Sequence, residues 1–404
     1  MSARTLRKRL LQSFGALSLA GVLAVALILT ATWIEHRTPL ELPKPTGPYA
    51  VGRASLHWVL TGHVDEFAPV PGSARELVVW IWYPAVPGGG TAAEYLPRPW
   101  REAIARNGGV LMSDFLTRDL SQVRVHAREN LDVAPDPRRF PVVILRAGLA
   151  AEVTGYTVLA EDLASNGYFV VGPDAAYRTT VVVFPDGRVA LRPAKYNLEL
   201  MPDAERVPFA TRLMDMWSAD LGSLVDELGE LDGAPSGRFA GRLDLQHLGV
   251  VGHSLGGATA AHFCHEDSRC KAGIDLDGAL FGPVIEDGLH QPFMFVLEGH
   301  SKVPDAAEVV RDIWSMYARL PVESRLRISL AGSDHFSFTD QILLKSQLLL
   351  GMMRGVGVIG GMQGDRGLAI TASYVNSFFD VYLKGQPRTT LDTLAIRYPE
   401  VRVE

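Results

Sequence analysis

A serine held between glycines, where an apolar run meets a helical pattern, places the strongest constraint on this chain. The run 248–251 leads into Gly-His-Ser-Leu-Gly-Gly at 252–257, and residues 258–263 continue with a helical pattern. A turn this tight strains the serine backbone, and the glycines on either side avoid clashes with the adjoining strand and helix. The pattern therefore predicts that Ser254 is a nucleophile presented at the carboxyl edge of a sheet.

Beyond this motif, β-rich runs alternate with helical patterns. Residues 75–83 and 141–145 are β-rich, whereas apolar residues recur at helical spacing from 213 to 228. This alternation is typical of the α/β class, in which a mostly parallel sheet is covered by helices on both faces. Of the 404 residues, 47% are hydrophobic, so the chain can bury a large core. A Pro-Asp-Gly turn between two apolar runs predicts an inserted hairpin at about 179–192.

The first 34 residues predict a short cytoplasmic stub followed by a transmembrane helix. Four basic residues precede the stretch 14–34, which has no charged residue and is long enough to cross a bilayer as a helix. The basic cluster is expected to stay in the cytoplasm, which places the rest of the chain outside the inner membrane. The alternative is a signal peptide cleaved at the small-residue pattern 24–26, which would release a secreted or periplasmic protein.

The exported part divides into a linker and a folded domain. Four prolines make residues 35–50 suitable as an extended tether, and the catalytic domain is expected at 51–404. Within this domain, 341–362 is strongly apolar and has Lys345 and Arg354 as its charged residues. It is interpreted either as a helix that covers the sheet or as a lid that faces lipid. The formal net charge of -6 disfavours a nucleic-acid partner.

A serine hydroxyl is a poor nucleophile without a base, so a histidine is expected later in the chain, after an acid. His335 is the preferred candidate, because it follows the apolar run 326–330 on a loop that leaves one of the last strands. Four other histidines are weaker candidates, since they come too early, lie on the helix after the serine or adjoin the serine itself: His300, His262, His265 and His253.

Two predicted strand ends could supply the acid. Asp277 ends the run 272–276 and is followed by glycine, whereas Glu298 ends the run 292–297 and Asp305 comes later. Asp275 lies on the same strand face as Asp277 but deeper, below the edge where a loop could meet His335. We therefore expect Asp277 to orient the base, with Glu298 and Asp305 as alternatives.

Neither a metal ion nor an organic cofactor is expected. Two cysteines cannot make a disulfide framework, although Cys264 and Cys270 could form one local disulfide or remain two buried thiols. Together with His262 and His265 they match no common metal-site spacing.

The set of motifs resembles the platelet-activating-factor acetylhydrolase family (the plasma and bacterial, calcium-independent type) within the α/β-hydrolase superfamily. The most specific part is Gly-His-Ser-Leu-Gly-Gly-Ala-Thr at 252–259 joined to Gly-Ile-Asp-Leu-Asp at 273–277. The likeness runs from residue 45 to residue 385. It implies an α/β-hydrolase fold, with Asp277 as the acid and His335, in a His-Phe-Ser-Phe-x-Asp context, as the base.

One loop departs from the family pattern. Where members usually have His-Gly-Leu-Gly, this chain has Ala-Gly-Leu-Ala at 147–150, preceded by Arg146. The backbone N–H of Leu149 can still donate to an oxyanion, as can that of Leu255 at the start of the helix. We hypothesise that the loop is positioned differently and that Arg146 contacts an anionic group of the substrate.

These features predict a serine esterase that removes short or oxidised acyl groups from lipids or small molecules, in the manner of a phospholipase A2. A general carboxylesterase or polyester hydrolase would use the same triad with a different pocket. The third possibility is a catalytically silent lipid-binding protein on the same fold.

Overall fold

The computed structural model describes residues 3–109, 112–113, 116–196, 198, 201–299 and 306–404. Two of the weaker candidates from the sequence, His300 and Asp305, lie outside these residues.

The strands are β1 Leu40–Glu41, β2 Ala50–Val64, β3 Ala74–Ala85, β4 Thr91–Glu94, β5 Val123–Glu129, β6 Phe140–Arg146, β7 Phe169–Ala175, β8 Val181–Val183, β9 Val189–Leu191, β10 Leu243–His253, β11 Cys270–Leu276, β12 Phe293–Gly299, β13 Arg325–Ala331 and β14 Val401–Val403.

The α-helices are α1 Ala3–Arg37, α2 Arg98–Asn107, α3 Thr157–Ser165, α4 Asp203–Gly233, α5 Leu255–Glu266, α6 Val284–Asp287, α7 Ala306–Arg319, α8 Gln341–Leu344, α9 Gln347–Gly355, α10 Gly364–Lys384, α11 Thr389–Asp392 and α12 Leu394–Arg397. Short 3₁₀ turns include Val153–Tyr156 and His335–Phe338.

Within the described residues, twelve strands form one mixed sheet. Their order is β1-β5-β2-β3-β7-β6-β10-β11-β12-β13-β14, with β4 paired to β5. The central strands from β7 to β13 run parallel, whereas β3 and β14 pair antiparallel with their inner neighbours. This arrangement confirms the expected fold class, an α/β-hydrolase sheet.

Two apolar layers enclose the sheet, because successive residues of a strand point to opposite faces. On β10, Val251 belongs to one layer and Val250 to the other. Helices α3 and α10 cover the first face, while α4, α5 and α7 cover the second. The parallel strands are therefore buried on both sides, which explains their continuous apolar sequences.

The N-terminal helix stands apart from the domain along most of its length. Its stretch Gln12–Arg37 is, among the described residues, the part of the chain long and apolar enough to cross a membrane, a property that signal sequences share. The C-terminal end of α1 is bound to the domain. Glu35 accepts hydrogen bonds from the Ser346 hydroxyl at 2.5 Å and from the Gln347 N–H at 2.6 Å.

The proline-rich segment after α1 is extended, as a tether would be, but it lies against the domain. Strand β1 pairs with β5, Leu42 is buried, and the Thr46 N–H donates to Asp162 Oδ1 at 2.7 Å. Prolines keep the segment extended, while the N–H groups of the residues between them find partners on the domain surface.

Three further segments lie around the sheet. Strands β8 and β9 form a separate antiparallel pair. Cys264 and Cys270 form a disulfide between the end of α5 and the start of β11. The apolar segment 341–362 contains α8 and α9, and α9 with the loop after it exposes five large side chains: Leu348, Met352, Met353, Val356 and Val358.

Candidate active site

The serine motif forms the tight turn that its sequence predicts. Ser254 lies between β10 and α5 with φ 56° and ψ -128°, a conformation that L-residues rarely adopt. A Cβ atom on Gly252 would lie 2.0 Å from the Gly256 carbonyl oxygen, and one on Gly256 would lie 2.3 Å from the Arg146 carbonyl oxygen. The two glycines therefore allow the turn to pack against its own helix and against β6.

Asp277 and His335 meet at the same edge of the sheet. Asp277 follows β11 with φ 57°, and its Oδ2 lies 2.7 Å from Nδ1 of His335. Its other oxygen, Oδ1, accepts the Glu298 N–H at 2.9 Å. Both carboxylate oxygens are thus held, and of the acids that the sequence leaves open, the structure brings Asp277 to the histidine.

The serine turn packs on the segments that carry this pair. The Ser254 N–H donates to the Leu276 carbonyl oxygen at 2.9 Å, and a Cβ atom on Gly278 would lie 2.4 Å from the Ser254 carbonyl oxygen. His253, next to the serine, has Nε2 2.8 Å from the His335 carbonyl oxygen. The three residues expected to act together therefore follow strands β10, β11 and β13 at one edge of the sheet, with β12 between the last two.

Two opposing effects set the proton affinity of His335. Burial lowers the pKa of His335. The hydrogen bond to Asp277 and the charges of Asp277, Glu298 and Asp334 raise it by more than burial lowers it, so the net pKa lies above the usual value. An imidazole with this pairing is held in one orientation by Nδ1 and stabilised when it gains a proton.

Asp275 supports the turn from below. It is fully buried, and its Oδ1 accepts the Gly278 N–H at 2.8 Å. Burial raises its pKa well above the usual value, and the charge of Asp277 adds to this. Asp275 thus lies deeper than Asp277, as the spacing along β11 predicts, and braces the loop that carries Asp277.

The loop after β6 lies beside the serine. A Cβ atom on Gly148 would be 3.2 Å from the Ser254 Cβ, so glycine permits the close approach there. The Ala150 carbonyl oxygen accepts the Thr180 N–H at 3.1 Å and the Thr180 hydroxyl at 2.7 Å. The side chain of Leu149 packs against the cluster that contains Leu255. The segments that carry the two predicted oxyanion donors, Leu149 and Leu255, therefore adjoin the serine.

The hypothesis that Arg146 contacts the substrate is wrong. Its side chain points into the core, is 3% exposed, and stacks on Trp217 with 3.6 Å from its guanidinium carbon to the ring centroid. Burial lowers the pKa of Arg146 to about 10. Arg146 is the last residue of β6, and its guanidinium is covered by the ring of Trp217 from α4.

The histidines of α5 have partners away from the site. His262 is buried, with Nε2 3.2 Å from Asp215 Oδ1. His265 pairs with Glu266 and Asp287. Across the described residues, no group of three or more His, Cys, Asp or Glu side chains is arranged to hold a metal ion.

One contact of the oxyanion loop has no signal in the sequence. The Gly148 N–H donates to the Tyr156 hydroxyl at 3.1 Å, and this hydroxyl lies 2.8 Å from His253 Nδ1. Tyr156 belongs to no motif and reaches the loop because the turn 153–156 folds back beneath it.

Comparison with known proteins relates this chain to a family of esterases. Residues 35–184 and 221–380 match the family described as platelet-activating factor acetylhydrolase, isoform II. The chain is similar to platelet-activating factor acetylhydrolase from Canis lupus familiaris (23% identical, covering 80% of this chain and 72% of the relative). It is also similar to a probable 1-alkyl-2-acetylglycerophosphocholine esterase from Arthroderma benhamiae (23% identical, covering 94% and 98%). Among solved structures, ferulic acid esterase from Streptomyces cinnamoneus aligns with a TM-score of 0.74 and 28% identity, over 91% of this chain and 99% of that one.

Proposed function

Because the chain belongs to the family of platelet-activating factor acetylhydrolase, isoform II, and is a carboxylic ester hydrolase of the serine esterase type, we propose that Ser254, His335 and Asp277 form its catalytic triad. The observation that carries the proposal is the 2.7 Å contact between Asp277 and His335 beside a serine in a left-handed turn. A base held by a carboxylate next to a strained serine is the arrangement that activates a hydroxyl for attack.

In the proposed reaction, His335 removes the Ser254 proton while the serine oxygen attacks the ester carbonyl carbon. The N–H groups of Leu149 and Leu255 stabilise the oxyanion that forms. Asp277 holds His335 through Nδ1 and stabilises the imidazolium, which then protonates the leaving alcohol. Water, deprotonated by His335, releases the acyl group from Ser254 and restores the enzyme.

For the substrate, we propose an ester with a short or oxidised acyl group, on a lipid or a small molecule. One similar protein is named a platelet-activating factor acetylhydrolase and another a probable 1-alkyl-2-acetylglycerophosphocholine esterase, and these names support the choice. The test is the hydrolysis by the full-length chain of three esters: 1-alkyl-2-acetylglycerophosphocholine, a long-chain phosphatidylcholine and an aryl acetate. A preference for the acetyl lipid over the long-chain lipid supports the proposal, while turnover of the aryl acetate alone indicates a general carboxylesterase.

A second candidate substrate is a small ester with an aromatic acyl group. A small cavity beside the oxyanion loop, of about 10 Å³, is lined by Leu149 and by the rings of Phe67, Tyr196 and Phe209, and these rings would have to move apart to admit such a group. Tyr196 and Phe209 are stacked at 5.7 Å between centroids, and Phe67 meets Tyr196 edge to face. Such ring faces can pack on a flat acyl group, and the similar solved structure is a ferulic acid esterase. Methyl ferulate added to the same set of substrates separates this candidate from the lipid ester.

The raised pKa of His335 predicts how activity depends on pH. His335 acts as a base only when it is neutral, so kcat/KM is expected to rise with pH and to reach half its maximum above about 6.5, the unperturbed histidine value. The same ion pair stabilises the folded state fully below that value and loses its effect as pH rises through the folded-state pKa. A pH profile of kcat/KM checks this, and a midpoint below 6.5 would contradict the assigned pairing.

We propose further that α1 anchors the chain in the inner membrane with the catalytic domain on the extracytoplasmic side. The apolar stretch and the preceding basic residues support this orientation. The end of α1 contacts the start of α9, whose exposed apolar residues would then lie near the lipid surface. The alternative, cleavage of a signal sequence, predicts a shorter mature chain, which intact-mass measurement of the protein made in its host distinguishes.

Replacing Glu35 with alanine is expected to loosen this attachment. The change removes the acceptor of the Ser346 and Gln347 hydrogen bonds, which should cost about 1 kcal/mol at the start of α9. In vesicles, hydrolysis of a lipid ester in the same membrane should fall several-fold, while hydrolysis of a water-soluble aryl ester stays constant. Glu41→Ala, which removes the same charge from an exposed position nearby, is the control. Equal lipid hydrolysis by both variants would contradict the proposed role of the contact.

A further inference from the structure

Three hydrogen bonds, two of them buried and the third partly buried, connect the oxyanion loop to the backbone of the proposed catalytic histidine. The Gly148 N–H lies 3.1 Å from the Tyr156 hydroxyl oxygen, which lies 2.8 Å from His253 Nδ1. The other ring nitrogen, His253 Nε2, lies 2.8 Å from the His335 carbonyl oxygen. Tyr156 and His253 are both buried, so water does not compete for the two contacts of the Tyr156 hydroxyl.

The Gly148 N–H and the His335 carbonyl oxygen, at the two ends of this series, determine which atom donates in each of the three hydrogen bonds. A carbonyl oxygen can only accept, so His253 Nε2 carries a hydrogen and donates it to His335. His253 Nδ1 is then an acceptor, and the Tyr156 hydroxyl must donate to it. The tyrosine oxygen is left to accept the Gly148 N–H. One arrangement of hydrogens therefore gives every donor and acceptor in these three hydrogen bonds a partner.

This arrangement requires neutral His253. Burial lowers the pKa of His253 to about 3, and the charge of His335 lowers it as well. The rings of the two histidines are 4.5 Å apart between centroids, so a positive His253 would oppose the imidazolium that His335 becomes during the reaction.

We infer that Tyr156 and His253 are positioning residues, which hold the oxyanion loop at a fixed distance from His335. The inference rests on the proposed function and adds to it. The neighbouring side chain in the loop, Ala147, has no polar atom to do this, and Tyr156 reaches the loop from the turn before α3. A second contact joins the turn of Tyr156 to the segment that follows His335, because the Asp340 carboxylate accepts the Thr157 N–H at 2.9 Å. Movement of one segment would thus displace the Leu149 N–H relative to His335.

The direct test is Tyr156→Phe in the full-length chain. The change keeps the ring but leaves the Gly148 N–H and His253 Nδ1 without their buried partner. We expect kcat for an aryl acetate to fall by about 10- to 100-fold with KM within about twofold, because a misplaced donor weakens the transition state more than substrate binding. Binding of an alkyl boronic acid, whose tetrahedral adduct places an oxygen where the oxyanion forms, should weaken by a similar factor.

Tyr168→Phe is the matched control. Its hydroxyl is also buried and donates to Asp380 Oδ1 at 2.7 Å, and Tyr168 packs against Phe379 of α10. This variant should lower the thermal midpoint as much as Tyr156→Phe does but leave kcat and boronic acid binding unchanged. If Tyr156→Phe also keeps kcat and boronic acid binding at wild-type values, the hydroxyl has only a structural role and the inference is overturned.

Two variants of His253 provide an independent test should Tyr156→Phe fold poorly. A glutamine amide has an acceptor oxygen and a donor nitrogen, so His253→Gln can accept from Tyr156 and donate to His335, whereas His253→Phe can do neither. We expect His253→Gln to retain more of kcat than His253→Phe. In the wild-type protein, NMR of ¹⁵N-labelled histidine at pH 6 should show His253 neutral with hydrogen on Nε2; hydrogen on Nδ1 would overturn the inference.

The wild-type rate separates this inference from the proposed function. Absence of Ser254-dependent turnover in the wild-type chain would overturn the proposed function together with the inference. Normal wild-type turnover with an unaffected Tyr156→Phe variant would overturn the inference alone.

Discussion

Ser254→Ala is expected to lower kcat/KM for every ester that the chain hydrolyses by at least about 10⁴-fold, because the attacking oxygen is lost. The backbone at this position has φ 56°, a conformation that is as strained for alanine as for serine, so the substitution should not change the strain of the turn. The thermal midpoint should therefore stay close to that of the wild type. Initial rates with an aryl acetate and with an acetyl phospholipid, measured beside thermal unfolding, give the result.

The control for this prediction is Ser373→Ala. Ser373 lies on α10, where its hydroxyl donates to the Ala369 carbonyl oxygen, and its loss should leave kcat/KM unchanged. Residual turnover by Ser254→Ala within tenfold of the wild type would show that a different nucleophile, or a contaminating esterase, accounts for the hydrolysis.

The second large effect is expected for Asp277→Asn, which should lower kcat by about 10³- to 10⁴-fold. Asparagine can present its amide N–H to His335 Nδ1, and this favours the tautomer with hydrogen on Nε2, which cannot take the serine proton. Asparagine tolerates the left-handed backbone that Asp277 adopts, so the turn should keep its shape. The loss of the negative charge should also move the midpoint of the pH profile of kcat/KM to lower pH.

Glu298→Gln tests whether Glu298, and not Asp277, is the acid that acts with His335. Its backbone N–H, which the substitution retains, is the group that bonds Asp277 Oδ1. We expect a decrease in kcat of less than about tenfold. If Glu298→Gln abolishes hydrolysis and Asp277→Asn does not, Glu298 is the acid that acts with His335.

The features fixed by neighbouring residues could be predicted from the sequence. The serine turn depends on a strand, two glycines and a helix within 248–263, and the structure forms it as expected. The parallel sheet follows from apolar runs that are buried on both faces. Asp277 remained one of several possible acids, because its role depends on the distance to His335 across β11, β12 and β13.

Features that depend on packing between distant segments could not be predicted. An arginine next to the oxyanion loop suggests a contact with an anionic substrate, but Arg146 is buried and stacks on the ring of Trp217 from α4. The contact of Tyr156 with Gly148 needs the fold of the turn before α3, which no residue spacing reveals. Similarly, prolines predict that 35–50 is extended, but not that it lies along the domain surface.

The central claim, that Ser254 is the nucleophile of a serine esterase, is tested most directly by its covalent capture. The full-length chain is treated with a fluorophosphonate and digested, and the modified peptide is identified by mass spectrometry, with His335→Gln treated in parallel. We expect one phosphonylated residue per chain, at Ser254, and little labelling of the His335→Gln variant, because the serine needs its base. Ester hydrolysis that persists without labelling of Ser254 would contradict the account.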